Sequence, residues 1–539
     1  MTQVQTPGAE TPTMTHRQIL EVLSGLLLAL FVAMVSSTSV SNALPRIVER
    51  LHGTQGGYTW VVVAALLAMT ATTPIWGKLA DLFSKKLLIQ VALVLFIAGS
   101  AVAGLANSMG VLIAGRAVAG LGMGGIVALM QTIIAVMVPP RERGRYSGYI
   151  GATFALATVL GPLIGGLIVD SPLSWRGVFY IGVPFAVVAF IVLQKTLHVV
   201  TVKREVSIDY VGSVLLVGGV SILLVWVTLG GNQLAWNSVG SYAMVLGGLV
   251  VLALALVWEG RFAKQPIIPL RLYRDPTMVF SSIASFFVGM GMFGATVYLQ
   301  QYFQTARGMS PTHAGLMTVC MVVGLAASAM ITGRLISATG RWKRFLIFGA
   351  VMLIIGLALL SRIDETTSLL LVGVFMAVVG IGVGATNQNL ILAVQNNLAN
   401  EDMGAGSSVV AFIRSMGGSI GIAALGAVLS HRVASVTTDG VTALITSGKV
   451  PASAAEQLQS GSLSDVSTLP GPIARVVEHA FGVATGDLFL VATPCAVLAL
   501  LAILLIKEKV LRTSIKDLSE EQIDPEVAAE LEVGGAGRR

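Results

Sequence analysis

The stretch Gly77-Lys-Leu-Ala-Asp-Leu-Phe-Ser-Lys-Lys86 recurs as Gly333-Arg-Leu-Ile-Ser-Ala-Thr-Gly-Arg-Trp342, 256 residues further on. Each copy is a short polar turn between two long apolar runs. The same offset aligns Gly161-Pro-Leu-Ile-Gly165 with Gly417-Gly-Ser-Ile-Gly421. Between these matches, Gly120-x-Gly-x-Gly124 echoes Gly380-x-Gly-x-Gly384, four residues out of register, as an insertion in a connecting loop would produce. Three matches in one order imply an internal duplication. Halves related by an axis along the membrane normal belong to transporters that rock about a central site.

The apolar runs around these turns are long enough to cross a bilayer, which takes about 20 mainly apolar residues. Fourteen such runs occur, eight from 18–44 to 240–258 and six from 277–299 to 484–506. The chain is 55% hydrophobic and 11% charged, whereas a soluble globular chain carries about a quarter charged residues. That balance excludes an ordinary cytosolic enzyme. Its 60 glycines suit helices that approach closely in lipid. The net charge of +7 sits in short turns and forms no soluble basic face, so no nucleic-acid partner is implied.

Lys and Arg set the expected orientation. Lys78, Lys85 and Lys86, then Arg141, Arg143 and Arg145, then Arg261, Lys264, Arg271 and Arg274, then Arg334, Arg341, Lys343 and Arg344 share one side. Basic loops mark the cytoplasmic side, so both termini lie inside a cytoplasmic (inner) cell membrane that the chain crosses many times. The turn 395–404 has no basic residue and does not follow this rule. The division that results is a cytoplasmic tail (1–17), an N-terminal six-helix bundle (18–197), and a linker with two extra spans (198–276). A C-terminal six-helix bundle (277–506) includes a polar extracytoplasmic loop (431–480), and a charged cytoplasmic tail follows (507–539), ending in a disordered Gly-rich stretch. The first run is too long for the apolar core of a signal peptide and is read as a span.

Several chemistries find no support. Cys320 and Cys495 lie far apart in apolar spans without metal-ligand spacing, so neither a disulfide nor a metal site is expected. No Gly-x-x-x-x-Gly-Lys-Ser/Thr run occurs, which argues against ATP as a direct driver. No cofactor and no catalytic constellation is indicated.

The turn Gly77 to Leu88 resembles the signature loop between spans 2 and 3 of the major facilitator superfamily. Leu112 to Gly124, with Arg116, resembles its span 4 signature, and Ala157-Thr-Val-Leu-Gly-Pro-Leu-Ile-Gly-Gly166 its antiporter motif. With fourteen spans, Ser41-Asn-Ala-Leu-Pro45, Trp175-Arg-Gly-Val-Phe-Tyr180 and Tyr298-Leu-Gln-Gln301 look like the fourteen-span drug:proton antiporters of that superfamily. The resemblance covers residues 18 to about 506. It implies an all-α integral membrane protein with the major facilitator fold, two six-helix bundles plus two inserted linker helices. It also implies export of small hydrophobic or cationic drugs by alternating access, in exchange for protons. A dedicated exporter of one metabolite, lipid or antibiotic, an importer on the same scaffold, and a membrane-bound enzyme or sensor are the alternatives. Four positions depart from the pattern: Ala157 and Ser84 stand where Gly is usual, Ala119 where Gln is common, and Ser36 where span 1 often has Asp.

The resemblance assigns a conformational latch to Gly77, Asp81, Lys85, Lys86 and Arg116. Physically, Asp81 at a helix end can face basic groups and the positive N-terminal end of a helix from the other half. In the antiporter motif Pro162 kinks the span, while Gly161, Gly165 and Gly166 admit a neighbouring helix. Arg116 and Arg414 are the basic residues read as deep in spans, where a charge normally faces the bundle interior. Ser36, Thr38, Asn42, Gln131, Gln301, Asn387 and Gln388 are the candidate polar groups of a substrate cavity, with Met292 and Arg414 beside them. No acidic residue lies near the middle of a span: Glu21, Asp170, Asp209, Glu259 and Asp487 all fall near ends. A proton carrier is therefore expected at a span's periphery, in a water network or on the substrate itself.

Overall fold

The computed structural model describes residues 16–51, 55–169, 171–172, 174–197, 209–230, 234–263, 266–309, 311–399, 402–447 and 471–511. Asp170 and most of both tails lie outside these residues. The N-terminal half contains α1 (His16–Arg50), α2 (Gln55–Leu82), α3 (Lys85–Gly104), α4 (Met109–Met137) and α5 (Pro140–Val169), then α6 (Ser174–Tyr180) and α7 (Gly182–Thr196), which share one crossing. The inserted pair is α8 (Tyr210–Leu229) and α9 (Val239–Arg261). The C-terminal half contains α10 (Pro276–Thr305), α11 (Pro311–Thr339), α12 (Lys343–Leu360), α13 (Leu369–Asn397), α14 (Met403–Thr446) and α15 (Gly471–Leu505). Thirteen spans among the described residues are long and apolar enough to cross a membrane. The 30-residue α5 lies in the same bundle and is the fourteenth.

Glycine makes the duplication visible as packing. Gly120 and Gly124 of α4 lie against the backbone of Ala65 and Met69 in α2. Gly380 and Gly384 of α13 lie against Met321 and Leu325 of α11 in the same way. A Cβ on Gly124 would stand 2.6 Å from the Met69 carbonyl oxygen, so a side chain would push the helices apart. Between helices within a bilayer this close van der Waals contact, rather than a hydrophobic drive, holds the pair. The four-residue register shift has a simple origin, since residues 105–108 join α3 to α4 whereas the longer 361–368 joins α12 to α13. Each half has its own core, Leu26, Leu93, Phe96 and Ile133 in one and Leu299, Phe303, Leu353 and Phe489 in the other.

The inserted pair lies across the seam between the halves. Leu216 and Val220 of α8 share a core with Ala71 of α2 and with Val409 and Val410 of α14. The chain leaving α9 folds back, and Glu259 Oε2 accepts a hydrogen bond from Ile268 N at 3.0 Å. The 3-10 turn Leu270–Arg274 then places Leu272, with Ile267 and Ile268, in that core.

One expectation about a non-membrane segment is corrected. Residues 431–446 and 471–480, read as part of a polar loop, are helical continuations of α14 and α15. A 44-residue helix is about 66 Å long, twice the hydrocarbon thickness of about 30 Å. Leu429, Val433, Val436 and Leu444 form a stripe at helical spacing and pack with Ile473, Val477 and Ala480. Gly440 faces Val476, whose Cγ1 would be 2.5 Å from an added Cβ. Polarity concealed this periodicity: Thr438, Thr442 and Thr446 donate to the carbonyls four residues back, at 2.7–2.8 Å, so their hydroxyls are satisfied inside the helix. Residues 448–470 of the expected loop lie outside the described residues.

The tail is also docked where it begins. Glu508 Oε1 accepts from Trp342 N and Lys343 N at 2.9 and 3.0 Å, capping the start of α12. Trp342 Nε1 donates to Lys509 O at 2.8 Å. The α11–α12 turn it grips contains Gly340 at φ +69°, a backbone conformation that glycine adopts without strain.

Candidate gate and ligand cavity

Asp81 lies in the last turn of α2, and its carboxylate accepts Gly404 N at 3.0 Å and Ala405 N at 2.9 Å. These amides open α14, where backbone N–H groups have no partner inside the helix and carry partial positive charge. The contact therefore joins the halves through a carboxylate on one side and bare backbone on the other. Gly77 and Gly404 make room for it: a Cβ on Gly77 would meet Ser408 and the Gly404 carbonyl, and a Cβ on Gly404 would meet Asp81 and the Gly77 carbonyl. The charges of Lys78 and Lys85 act on the same carboxylate.

Two residues expected at this latch are elsewhere. Lys86 Nζ donates to Gln194 O at 2.6 Å, at the C-terminal end of α7, where the helix dipole favours a cation. Arg116 is 2% exposed, and its Nε donates to Val61 O at 3.3 Å, near the start of α2. Asp81 lies twenty residues further along that helix, about 30 Å away. Arg116 matches the signature but is at the wrong end of the bundle to touch the latch.

Arg143 takes the crossing role at the gate. It is 1% exposed; its Nε donates to Val138 O at 2.8 Å, its Nη2 to Ala135 O, and its Nη1 to Gln395 Oε1 at 3.3 Å. Gln395 in turn donates to Ser407 Oγ at 2.9 Å. The duplication supplies a neutral counterpart of the latch. Ser337, 256 residues after Asp81, accepts Arg145 N at 3.1 Å near the start of α5. The turn 395–404, which lacks basic residues, borrows one from the linker, as Arg271 Nη2 contacts Asp402 Oδ1 at 2.9 Å. Deeper in the bundle, Gln131 Nε2 donates to Gln388 Oε1 at 3.0 Å across the halves. Gly148 and Gly151 of α5 lie against Met330 and Ala329 of α11. At this end the two halves are shut.

The antiporter motif is occupied with packing on α1. Ser39 Oγ donates to Gly161 O at 2.7 Å, and a Cβ on Gly165 would stand 2.7 Å from Ser39 O. Thr38 faces Gly161 while its hydroxyl donates to Met34 O at 3.0 Å. Ser36 is 3% exposed. The side chains of Asn42 and Pro162, and the surroundings of Gly166, lie outside what the structure describes. Arg414 stays within the C-terminal half, with Nη1 3.4 Å from Asn387 O, while Asn387 Oδ1 is buried without a partner among the described residues. Met292 is 6% exposed and belongs to the C-terminal core.

Away from the shut end, a cavity of about 620 Å³ opens between the halves. Val63, Leu66 and Leu67 of α2 line one side, and Tyr298 and Gln301 of α10 with Ser419, Ile422 and Ser430 of α14 line another. Leu224 and Val227 of α8 complete it. Of the expected cavity residues, Gln301 lines this space. Gln131 and Gln388 are paired to each other, while Thr38, Met292, Asn387 and Arg414 make contacts within their own halves.

Two duplicated helical bundles, shut at one end and leaving a cavity toward the other, have the architecture of a secondary transporter. Residues 26–422 match the family described as the Major Facilitator Superfamily. The multidrug transporter protein MdtP of Bacillus subtilis is 34% identical over 421 residues, covering 78% of this chain and 76% of that protein. Multidrug resistance protein 3 of the same organism is 30% identical over 515 residues, covering 94% and 98%. The human organic anion transporter MFSD10 shares the fold, with a TM-score of 0.57 at 14% identity over 88% of this chain and 99% of that one. The chain belongs to the major facilitator superfamily and is a membrane transporter of that fold.

Proposed function

We propose that this protein exports small hydrophobic or cationic drug-like molecules across the cytoplasmic membrane by alternating access, in exchange for protons. The observation that carries this reading is the closure at one end. It consists of hydrogen bonds and close contacts that can part, and a cavity of ligand size lies between the same halves beyond it. The names of the relatives, a multidrug transporter and a multidrug resistance protein, support drugs as the kind of cargo, and export is the direction by which a transporter would confer resistance. With the basic turns facing the cytoplasm, the shut end is the inner one and the cavity faces outward. The helical extension of α14 and α15 then lies outside, and both termini lie inside.

Everted membrane vesicles test this directly. An imposed acid-inside gradient should drive accumulation of radiolabelled chloramphenicol, a neutral drug-sized probe, and nigericin should abolish it. Accumulation that ignores the gradient, or equals that of vesicles lacking the protein, would refute proton-driven export. Orientation is read separately in intact cells, where Ser460→Cys should react with an impermeant thiol reagent once Cys320 and Cys495 are replaced. Labelling only after permeabilisation would reverse the topology.

A further inference from the structure

The inserted pair is more than a spacer between the halves. Near the gate α8 is sealed against α2 and α14 through Leu216 and Val220. Further along the same helix Leu224, still part of that core, and Val227 border the 620 Å³ space. The far end of α8 is held in place. Trp226 Nε1 donates to Ser241 Oγ of α9 at 2.6 Å, and Trp226 meets Trp236 edge to face at 5.4 Å. Trp236 covers Gly230, where an added Cβ would stand 2.5 Å from its ring, and both residues line the cavity.

The chemistry of the lining is one-sided. Its volume falls within the roughly 300–1,000 Å³ of small-molecule sites, and among the described residues none that lines it is Asp, Glu, His, Lys or Arg. The polar side chains among the described lining residues are neutral: Gln301, Ser419, Ser430, the Tyr298 hydroxyl and the Trp236 indole. The Tyr298 hydroxyl donates to Ile422 O. Ser419 donates to Ser415 O at 3.1 Å, which leaves its oxygen lone pairs able to accept. An ion entering here would lose hydration without meeting a counter-charge, whereas a neutral molecule with a hydrogen-bonding group would lose little.

We propose that α8 forms one wall of a ligand site, and that this site selects neutral amphipathic molecules of drug size over organic cations. The proposal narrows the cargo of the export reading and rests on that reading only for its consequence in transport. Binding tests it alone.

The full chain, purified in detergent, is titrated with radiolabelled chloramphenicol, which is neutral and carries hydroxyl and amide groups, and with radiolabelled tetraphenylphosphonium, a cation of similar size. Wild type should bind chloramphenicol saturably and the cation at least tenfold more weakly. Val227→Trp fills the cavity from α8 and should lower chloramphenicol affinity at least tenfold. Val214→Trp, on the same helix at a position 72% exposed, should leave it unchanged. Where Val227→Trp does not yield monodisperse protein, Gln301→Ala serves, with an expected loss of about fivefold. Unchanged affinity in the variant used, no saturable chloramphenicol binding, or equal or tighter binding of the cation overturns the proposal. Chloramphenicol binding lost in Val227→Trp, alongside vesicles that transport nothing, would uphold this site and refute export.

Discussion

Gly404→Ala should leave the gate mostly open and transport severely reduced. The added Cβ would lie against the Gly77 carbonyl and the Asp81 carboxylate, and neither helix can yield without moving its backbone. Forcing one methyl group into tightly packed structure costs about 1–3 kcal/mol. Each 1.4 kcal/mol is a tenfold change in a population, so the shut form should fall about 5- to 150-fold relative to wild type. Spin labels on Glu142→Cys and Arg341→Cys, both exposed on opposite halves at the gate end, report this as a longer mean distance. Unchanged distance and transport would show that the glycine contact does not limit closure.

Asp81→Asn should act in the same direction through charge instead of volume. The carboxylate faces two amides at the start of α14, and a negative charge at a helix N-terminus stabilises by about 0.3–2 kcal/mol. Asparagine retains one carbonyl acceptor, so the loss is partial, with a shut population reduced up to about 30-fold. High salt should weaken the wild-type gate less than it weakens an exposed ion pair, because the contact is half-buried and screening is strongest in solvent. The same distance pair checks the variant, and an unaltered distribution would place the closing energy in other contacts such as Arg143 with Gln395.

The two variants also mark how far the sequence could be read. Asp81 is legible because an acid at a helix end beside lysines is a local signal, and the 256-residue repeat marks the two halves in the sequence itself. Its partner was not legible, since Gly404 and Ala405 contribute backbone amides that no side chain announces. Arg116 matches a motif and lies deep in an apolar run, whereas Arg143 stands in a polar turn with nothing in the sequence to mark it. Burial of Arg143 arises only when α13 and α14 come to rest on the start of α5. The α14 extension was missed for a different reason: its serines and threonines suggested a loop, although Leu429, Val433, Val436 and Leu444 kept a helical period. The α8 wall of the cavity depends wholly on where the inserted pair docks, which composition does not encode.

The most direct test of alternating access is to follow both ends of one molecule population. The pair Glu142→Cys and Arg341→Cys reports the gate end, and Asn107→Cys with Thr366→Cys reports the opposite end, where residues 107 and 366 lie in the equivalent connections of the two halves. Both pairs are placed in protein lacking Cys320 and Cys495, and distances are measured with and without Gly404→Ala. The account predicts opposite changes, with the gate pair lengthening as the far pair shortens. Lengthening of both pairs together, or a far pair indifferent to an opened gate, would contradict it.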